Sequence, residues 1–451
     1  MLLGKNRLVD ALRKAARASG ADETLLAAER AGQTTLRFSS GRIHQNFHEE
    51  DLTVWVKVAA HGRVGVATTS SIRHEAILKA LDSAIDIARL PGKQTPPAFS
   101  TSPPKEPPAQ VTTYFPATVQ RPLTEIVAMI RHLGSQMQKK GAALAGSFVV
   151  GESELAVAGS RGLVQYQPVT IGGLRLVAMQ GRASGFAAQA FRDITELDPE
   201  ALLKRAWDFC RMNKDPQAIP LGKYDVLLEP EAVSEIVEWL STIGFGAKQV
   251  YERTSFLTGR MGDRITAPEI SISDDGTDPA GLAFPFDYEG IPKRRVNLIR
   301  HGVAESLVYD SHYARLYHTR STGHALSYDD YEGPIAQNLL VTAGSASHSD
   351  LLRRMDRGLW ITRFHYVNGL LKTQQALMTG LTRDGTFLVR NGKIAGAVKN
   401  LRFTEPILEA FSRVAGISRE RRRVADPAQG FFSVVTPALL LRRFNFTGQT
   451  K

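Results

Sequence analysis

One cysteine, Cys210, stands in a chain of 451 residues. That scarcity excludes an internal disulfide framework and any metal site built from several thiolates, and it fits a reducing compartment, so a cytoplasmic protein is expected. Also missing is any run approaching the roughly 20 apolar residues that a membrane-spanning helix needs. The N-terminal MLLGKNRLVDALRKAARASG carries its charges inside a helical pattern and not ahead of an apolar stretch, so neither membrane insertion nor export is expected. Acidic side chains are in deficit, 45 Asp and Glu against 56 Lys and Arg, which leaves a formal charge of +11. The excess is spread along the chain, apart from a patch at Arg419, Arg421, Arg422 and Arg423 that reads as a solvated face. No helix-turn-helix, zinc-finger or aromatic RNP-like spacing accompanies it, so nucleic acid is not the expected partner.

What is present is ordinary globular composition, 43% hydrophobic and 22% charged, on a chain long enough for two or three domains. Nine of the 22 prolines fall between Pro91 and Pro122, where missing amide donors and fixed φ angles exclude helix and interior strand. Residues 91–122 are therefore expected to be a linker or an extended surface connection. Before it, in a domain spanning 1–90, Lys5–Ser19 and His74–Leu90 have helical apolar spacing, and Leu52–Val58 reads as a β-strand. After it, in 123–220, the order recurs: a helix over Leu123–Lys139, strands within Ser147–Ala158 and Leu174–Met179, and a helix over Asp198–Met212. Turn residues recur as well. Ser39-Ser-Gly41 and His61-Gly-Arg-Val-Gly65 in the first unit are matched by Ser160-Arg-Gly162 and Gln180-Gly-Arg-Ala-Ser-Gly185 in the second, which points to an internal duplication. From 221 to 451 the pattern changes to short strands between Gly, Pro and Asp turns, with one helix at the start and another near Thr404–Val414. The expected fold is α+β: two related N-terminal α+β layers followed by a larger, mainly antiparallel β domain.

Several clusters invite a chemical reading. His74-Glu75 begins like HExxH, but no histidine follows at the required spacing, so the pair reads as a polar helix start. His312, His318 and His324 lie six residues apart and would share one face of an extended strand, which makes them a candidate metal set interrupted by the turn-like Ser-Thr-Gly323. In Thr362-Arg-Phe-His-Tyr-Val-Asn368, strand alternation sends Arg363, His365 and Val367 one way and Phe364, Tyr366 and Asn368 the other. Arg363, His365, Tyr366 and Asn368 are thus candidate substrate or partner contacts, with Arg363 suited to a carboxylate and Asn368 to a backbone amide. Leu381-Thr-Arg-Asp-Gly-Thr386 reads as a loop or hairpin turn shaped by Asp384-Gly385. Cys210 reads as a small buried hydrophobe on a helix.

Three ordered blocks resemble the TldD/PmbA family of zinc peptidase subunits and candidate DNA gyrase modulators. They are YDVLLEPEAVSEIVEWL (Tyr224–Leu240) with SFLTGRMGD (Ser255–Asp263), then FDYEGIPKRRVNLIRHGVAESLVYDSHYARLYHTRSTGHA (Phe286–Ala325), then the stretch GLWITRFHYVNGLLKTQQALMTGLTRDGTFLVRNGKIAGAVKNLRFTEPI (Gly358–Ile407). The match is strongest to the PmbA, or TldE, branch. In the zinc-carrying branch the helix after the LxPxA-type strand end resembles HExxxH, with two ligand histidines and a glutamate base, and a cysteine in the C-terminal strand region supplies a further ligand. Laid on this chain, the helical motif falls at about Glu238, Trp239 and Ile243, and the cysteine near Val424–Pro427, where no thiol stands.

The resemblance implies that this chain is a non-catalytic, metal-free subunit with no catalytic residues of its own. Its expected partner is a TldD-like chain that carries the zinc, in a cytoplasmic heterodimer that processes small peptides. Two other readings stay open from the sequence. One is a stand-alone hydrolase using His312, His318 and His324, and the other is a nucleic-acid or topoisomerase-associated modulator.

Overall fold

The computed structural model describes residues 2–91, 98–430 and 432–449. Residues 92–97 of the proline-rich segment lie outside the described residues.

The N-terminal half is a helix, three strands and a helix, written twice. The first unit is α1 (Lys5–Ala18), β1 (Glu23–Ser39), β2 (Arg42–Ala60), β3 (Arg63–Thr69) and α2 (His74–Arg89). A short α3 (Pro116–Gln120) leads into the second: α4 (Leu123–Lys139), β4 (Ala143–Gly159), β5 (Val164–Gln180), β6 (Ala183–Phe191) and α5 (Pro199–Met212). The two units share one antiparallel sheet, ordered β3-β2-β1-β4-β5-β6, so they join edge to edge through β1 and β4. Strand alternation divides the apolar residues between its faces. Leu26, Ala28, Val54 and Val56 pack under α1 and α2, and Leu174, Leu176 and Ala178 pack under α4 and α5. Leu25, Ala27, Trp55, Leu155 and Val157 point the opposite way, onto Phe284 and Phe286 of the C-terminal half.

The recurring glycines have equivalent jobs in the two units. Gly41 and Gly162 turn the first hairpin of each with positive φ (70° and 95°), and Gly62 and Gly181 turn the second (70° and 61°). Gly65 and Gly185 instead allow a helix to touch the sheet: a Cβ on Gly65 would lie 1.9 Å from the Ala84 carbonyl oxygen of α2, and one on Gly185 2.2 Å from the Ala206 carbonyl oxygen of α5. The described part of the proline-rich stretch is seated on the sheet. Phe99 joins the Trp55 cluster, and Thr113 accepts from the Thr170 amide at 2.9 Å along the β5 edge.

The C-terminal half begins with β7 (Gly222–Leu228) and α6 (Pro230–Leu240), continues through α7 (Ala247–Tyr251), β8 (Ile272–Asp274), β9 (Val296–Arg300), β10 (Val303–Ala304), α8 (Ser311–Leu316), β11 (Asn338–Val341) and α9 (His348–Arg353), and ends in a strand-rich stretch. That stretch contains β12 (Arg357–Lys372), β13 (Leu377–Arg390), β14 (Lys393–Ala397), β15 (Leu401–Pro406), α10 (Ile407–Ser412), β16 (Val414–Val424) and β17 (Ser433–Gln449). Because β17 pairs with both β15 and β7, the run β7-β12-β13-β15-β17 closes on itself into a five-stranded ring. Its interior is filled by Phe364, Phe403, Phe444 and Phe446, with the Phe364 and Phe403 ring centroids 4.6 Å apart. Most pairings are antiparallel; β12–β7 and β11–β17 are parallel.

Three expectations are corrected. The proline-rich stretch 91–122, expected to exclude helix, holds α3 (Pro116–Gln120), with Pro116 in the first turn where a missing amide hydrogen costs nothing. The helix expected near Thr404–Val414 is shorter, because Thr404 and Glu405 pair in β15 with Thr379 and Met378 before the chain turns into α10. Leu381–Thr386 is not a loop but part of β13, where Asp384 (φ 55°) and Gly385 (φ 151°) form a bulge that shifts the register against β12. Cys210 is buried on α5 as expected. No helix among the described residues is long and apolar enough to cross a membrane.

The helix–sheet contacts at the paired glycines generate a test. Gly65→Ala and Gly185→Ala are each expected to destabilise the protein by about 1–3 kcal/mol through overpacking, read as a lower urea midpoint with an unchanged denaturant slope.

Candidate functional site

The helix α6 is amphipathic in an unusual setting. Ala232, Val233, Ile236, Val237 and Leu240 lie in the C-terminal core, while the other stripe, Glu231, Ser234, Glu235, Glu238 and Trp239, faces a cavity of about 540 Å³. Its far wall is the helix-free face of the N-terminal sheet, contributed by Arg175 of β5 and Phe186, Ala188 and Ala190 of β6. Arg363 and His365 of β12 form one side, and Arg423, Val424, Ala425, Asp426 and Phe432, around the link from β16 to β17, form the other.

One buried carboxylate fixes the start of α6. Glu229, at the N-cap, accepts from Trp360 Nε1 at 2.9 Å, Arg205 Nη2 at 3.1 Å and Arg422 Nη2 at 2.6 Å, and it meets His348 Nε2 at 2.5 Å. Burial alone would raise its pKa, but His348, Arg422 and Arg205 together hold it well below the usual carboxylate range. Glu231, two residues on, takes Arg205 at 2.9 Å and Arg422 at 2.8 Å. At its other end α6 runs into a single π turn, Ser241–Phe245, tied down by Ser241 Oγ donating to the Ala336 carbonyl at 2.6 Å.

The cations around the cavity are already paired. Arg175 meets Asp426 at 3.0 Å, Arg423 bonds Glu196, and Arg363 donates from Nε to Asp384 at 2.8 Å while its guanidinium lies 4.3 Å from the Phe186 ring centroid. Asp384 also accepts from Ser184 Oγ at 2.6 Å, so the bulge in β13 ties β12 to β6 across the domain boundary. The Ser234 hydroxyl donates to the Glu231 carbonyl and the Thr242 hydroxyl to the Glu238 carbonyl. Glu235 and Glu238 remain. Burial raises the pKa of both. For Glu235 the charges of Arg363 and Arg175 oppose the rise; Glu238, next to Glu235 and Asp426, is pushed up to about 7.

The expected site residues separate in space. Glu238 and Trp239 line the cavity, whereas Ile243 is 3% exposed and belongs to the core. The same spacing four residues earlier, Ser234, Glu235 and Trp239, places all three positions on the cavity. Val424, Ala425 and Asp426, where the resemblance located a cysteine, stand in the wall near α6. Arg363 and His365 line the cavity, but Tyr366 (79% exposed) and Asn368 project to solvent. Tyr366 adopts φ 52°, which breaks strand alternation and turns Val367 inward, and Asn368 Oδ1 accepts from the Leu370 amide at 2.9 Å to shape the turn. Of the spaced histidines, His324 is buried against Asp274 at 2.8 Å, His312 is partly buried on α8, and His318 is exposed in a left-handed conformation. They do not converge, and no group of three or more His, Cys, Asp or Glu among the described residues is placed to hold a metal. Two arginines of the basic patch turn inward, Arg422 to Glu229 and Glu231 and Arg423 to Glu196, while Arg419 and Arg421 stay exposed. The sequence reading missed Glu235 and Ser234, which the polar periodicity of α6 carries, and missed Arg175 and Phe186, for which local sequence holds no signal.

Comparison with known proteins places these features in a lineage. A family model described as the PmbA/TldA metallopeptidase C-terminal domain matches residues 221–448, and one for metallopeptidase domain 1 matches 26–88. A metalloprotease TldD homologue of Haemophilus influenzae is 24% identical over 245 residues, 53% of this chain and 50% of that protein. The chain spans about half the length of the curated relatives it matches. The fold is that of a candidate modulator of a DNA gyrase from Thermotoga maritima (TM-score 0.85, 21% identity, 98% of this chain and 100% of that one). It is likewise that of TldE from Thermococcus kodakarensis (TM-score 0.83, 19% identity, 98% and 99%).

The buried Glu229 and the partly buried Glu238 predict opposite responses to pH. Glu229 titrates lower when folded, so its stabilisation is present above the unfolded carboxylate value and lost as pH falls below it; Glu229→Ala is expected to cost about 3 kcal/mol near neutrality by leaving Trp360 Nε1 and His348 without their acceptor and Arg205 and Arg422 with Glu231 alone. Glu238 titrates higher when folded, so stability declines as pH rises from the ordinary carboxylate value of 4.5 through about 7. Glu238→Gln should therefore stabilise the protein by on the order of 2 kcal/mol above that range and have little effect below it, as measured by thermal unfolding across pH.

Proposed function

The chain belongs to the PmbA/TldD family, and we propose that within it this protein is the metal-free, TldE-like subunit of a two-chain zinc peptidase. The observation that carries the reading is the residue set in the cavity. At the positions where the resemblance lays the zinc motif stand Glu238, Trp239 and the core residue Ile243, and across the cavity from the first two stand Val424, Ala425 and Asp426. Zinc is held by imidazole, thiolate and carboxylate groups. Trp239, Ile243, Val424 and Ala425 offer no side-chain ligand, and among the described residues no group of three His, Cys, Asp or Glu is placed to hold a metal, so these residues do not fit the metal.

In this reading the zinc and the hydrolytic step belong to a TldD-like partner. This chain contributes a walled polar cavity that receives part of an extended peptide, with α6 held rigid by Glu229 and the wall opposite supplied by its own N-terminal sheet. A cytoplasmic location is part of the same proposal and fits the single buried thiol. The inward pairing of Arg422 and Arg423 removes half of the basic patch that a nucleic-acid surface would have used.

The test is co-purification of this chain with the TldD-like protein of the same genome, with zinc quantified in the complex and in each chain alone. Zinc in the complex and the partner, with peptide cleavage only when the partner is present, is expected. Stoichiometric zinc and peptide cleavage by this chain alone would overturn the proposal.

A further inference from the structure

We infer that Arg357, Arg390 and Lys393, a row of cations where β12, β13 and β14 meet at the rim of the C-terminal sheet, dock a short acidic segment of a second polypeptide. The row stands on β12 six residues before Arg363, and nothing in the inference depends on the function proposed above.

Strand register sets these cations against one another. Arg357 is the direct partner of Arg390 across β12 and β13, and Arg390 is in turn the direct partner of Lys393 across β13 and β14. Side chains paired in this way share a face about 5 Å apart, and like charges so placed are destabilising. No carboxylate forms an ion pair with any of the three among the described residues. Nearby arginines are treated differently, since Arg353 bonds Asp350, Arg442 bonds Asp225 and Arg413 bonds Glu405. A fold that pairs its other cations here leaves three aligned and unanswered, at a cost that only an outside anion removes.

The backbone under the row is fixed. Arg390 and Lys393 flank the Asn391-Gly392 turn (φ 47° and 71°), whose two amides donate to the Asp356 carbonyl at 2.7 Å and the Met355 carbonyl at 2.8 Å. Gly392 lies so close to the end of α9 that a Cβ there would sit 2.8 Å from the Arg353 Cα. At the far end of the row the Arg357 guanidinium lies over the Tyr224 ring, 6.0 Å from its centroid. All three cations are exposed. A partner that brings negative charge therefore meets a concentrated field on a frame that needs no reordering.

The footprint selects the kind of partner. Three cations on adjacent strands span about 10 Å, the length of a few residues of extended chain at about 3.3 Å each. A nucleic-acid backbone is gripped through about 6–10 phosphates, and here the row is bounded by carboxylates. Asp350 and Asp356 stand at the turn, through Arg353 and Asn391, and Asp225 stands beside Tyr224 and Arg357. A short run of Asp or Glu on a polypeptide fits between them, whereas a long polyanion would meet them.

The experiment is fluorescence anisotropy of a labelled, N-acetylated hexaglutamate peptide titrated with the full-length chain, beside the matching hexaglutamine peptide and a single-stranded oligonucleotide of six residues. Binding of hexaglutamate, with none by hexaglutamine and none tighter by the oligonucleotide, is expected. Failure of hexaglutamate to bind, or tighter binding of the oligonucleotide, overturns the inference. Arg390→Gln removes the middle charge and should weaken peptide binding at least about tenfold. The same variant should raise the thermal midpoint of the free chain, because it relieves like-charge repulsion on both sides; a lowered midpoint would overturn the inference. Lys393→Gln repeats both measurements from the end of the row. Arg13→Gln, which removes one exposed charge from α1, should leave binding unchanged, and equal weakening by it would reduce the effect to net charge and overturn the assignment to this row.

Discussion

The Glu229 carboxylate is the contact on which the cavity depends. It is 4% exposed and collects donors from four separate elements: Arg205 of α5, His348 of α9, Trp360 of β12 and Arg422 of β16. Its own amide donates to the Ile361 carbonyl at 3.0 Å, which docks the N-terminus of α6 against β12. A charge taken this far from water is tolerable only when its lone pairs are filled, so the four elements must arrive together or not at all. The position and rotation of α6 follow, and with them which of its residues face the cavity.

A second set of buried polar contacts joins the halves of the chain. Arg363, Asp384 and Ser184 connect β12, the bulge in β13 and β6. At the other end of the same face of the N-terminal sheet, Lys57 meets Glu289 at 2.8 Å and Tyr288 donates to Glu29 at 2.6 Å, with Trp55 bonding Asp329 at 2.7 Å. The helices of the two N-terminal units all lie on one face of their shared sheet, which leaves the other free to pack on the C-terminal half. The first unit uses that face for adhesion through Trp55, whereas the second turns it toward the cavity through Arg175 and Phe186. One repeated architecture thereby serves two purposes.

The cavity also accounts for a local departure from regular strand geometry. If β12 kept alternating, Arg363, His365 and Val367 would all face the cavity. The left-handed turn at Tyr366 ends the alternation after His365 and places Gly369 against Trp239. Likewise the bulge at Asp384 aims a carboxylate at Arg363 that a regular strand would have directed elsewhere. These two irregularities set the cavity's polarity more than the strands themselves do.

Much of the architecture was legible along the chain because it is enforced locally. The apolar spacing of Lys5–Ala18, His74–Arg89 and Leu123–Lys139 needs only the helical period, and the paired Gly41 and Gly162 need only positive φ, so the repeated order of elements could be read before any contact was known. The polar stripe of α6 was equally present in PEAVSEIVEWL. Its meaning was not, because periodicity gives a face without saying whether water, a core or a cavity lies beyond it. Tertiary structure alone decided that Ile243 belongs to the core and Ser234 to the cavity, that Arg422 and Arg423 turn inward, and that His312, His318 and His324 stay apart. Each of those outcomes depends on contacts between residues far apart in sequence, where burial and the pairing of charge outweigh any local preference.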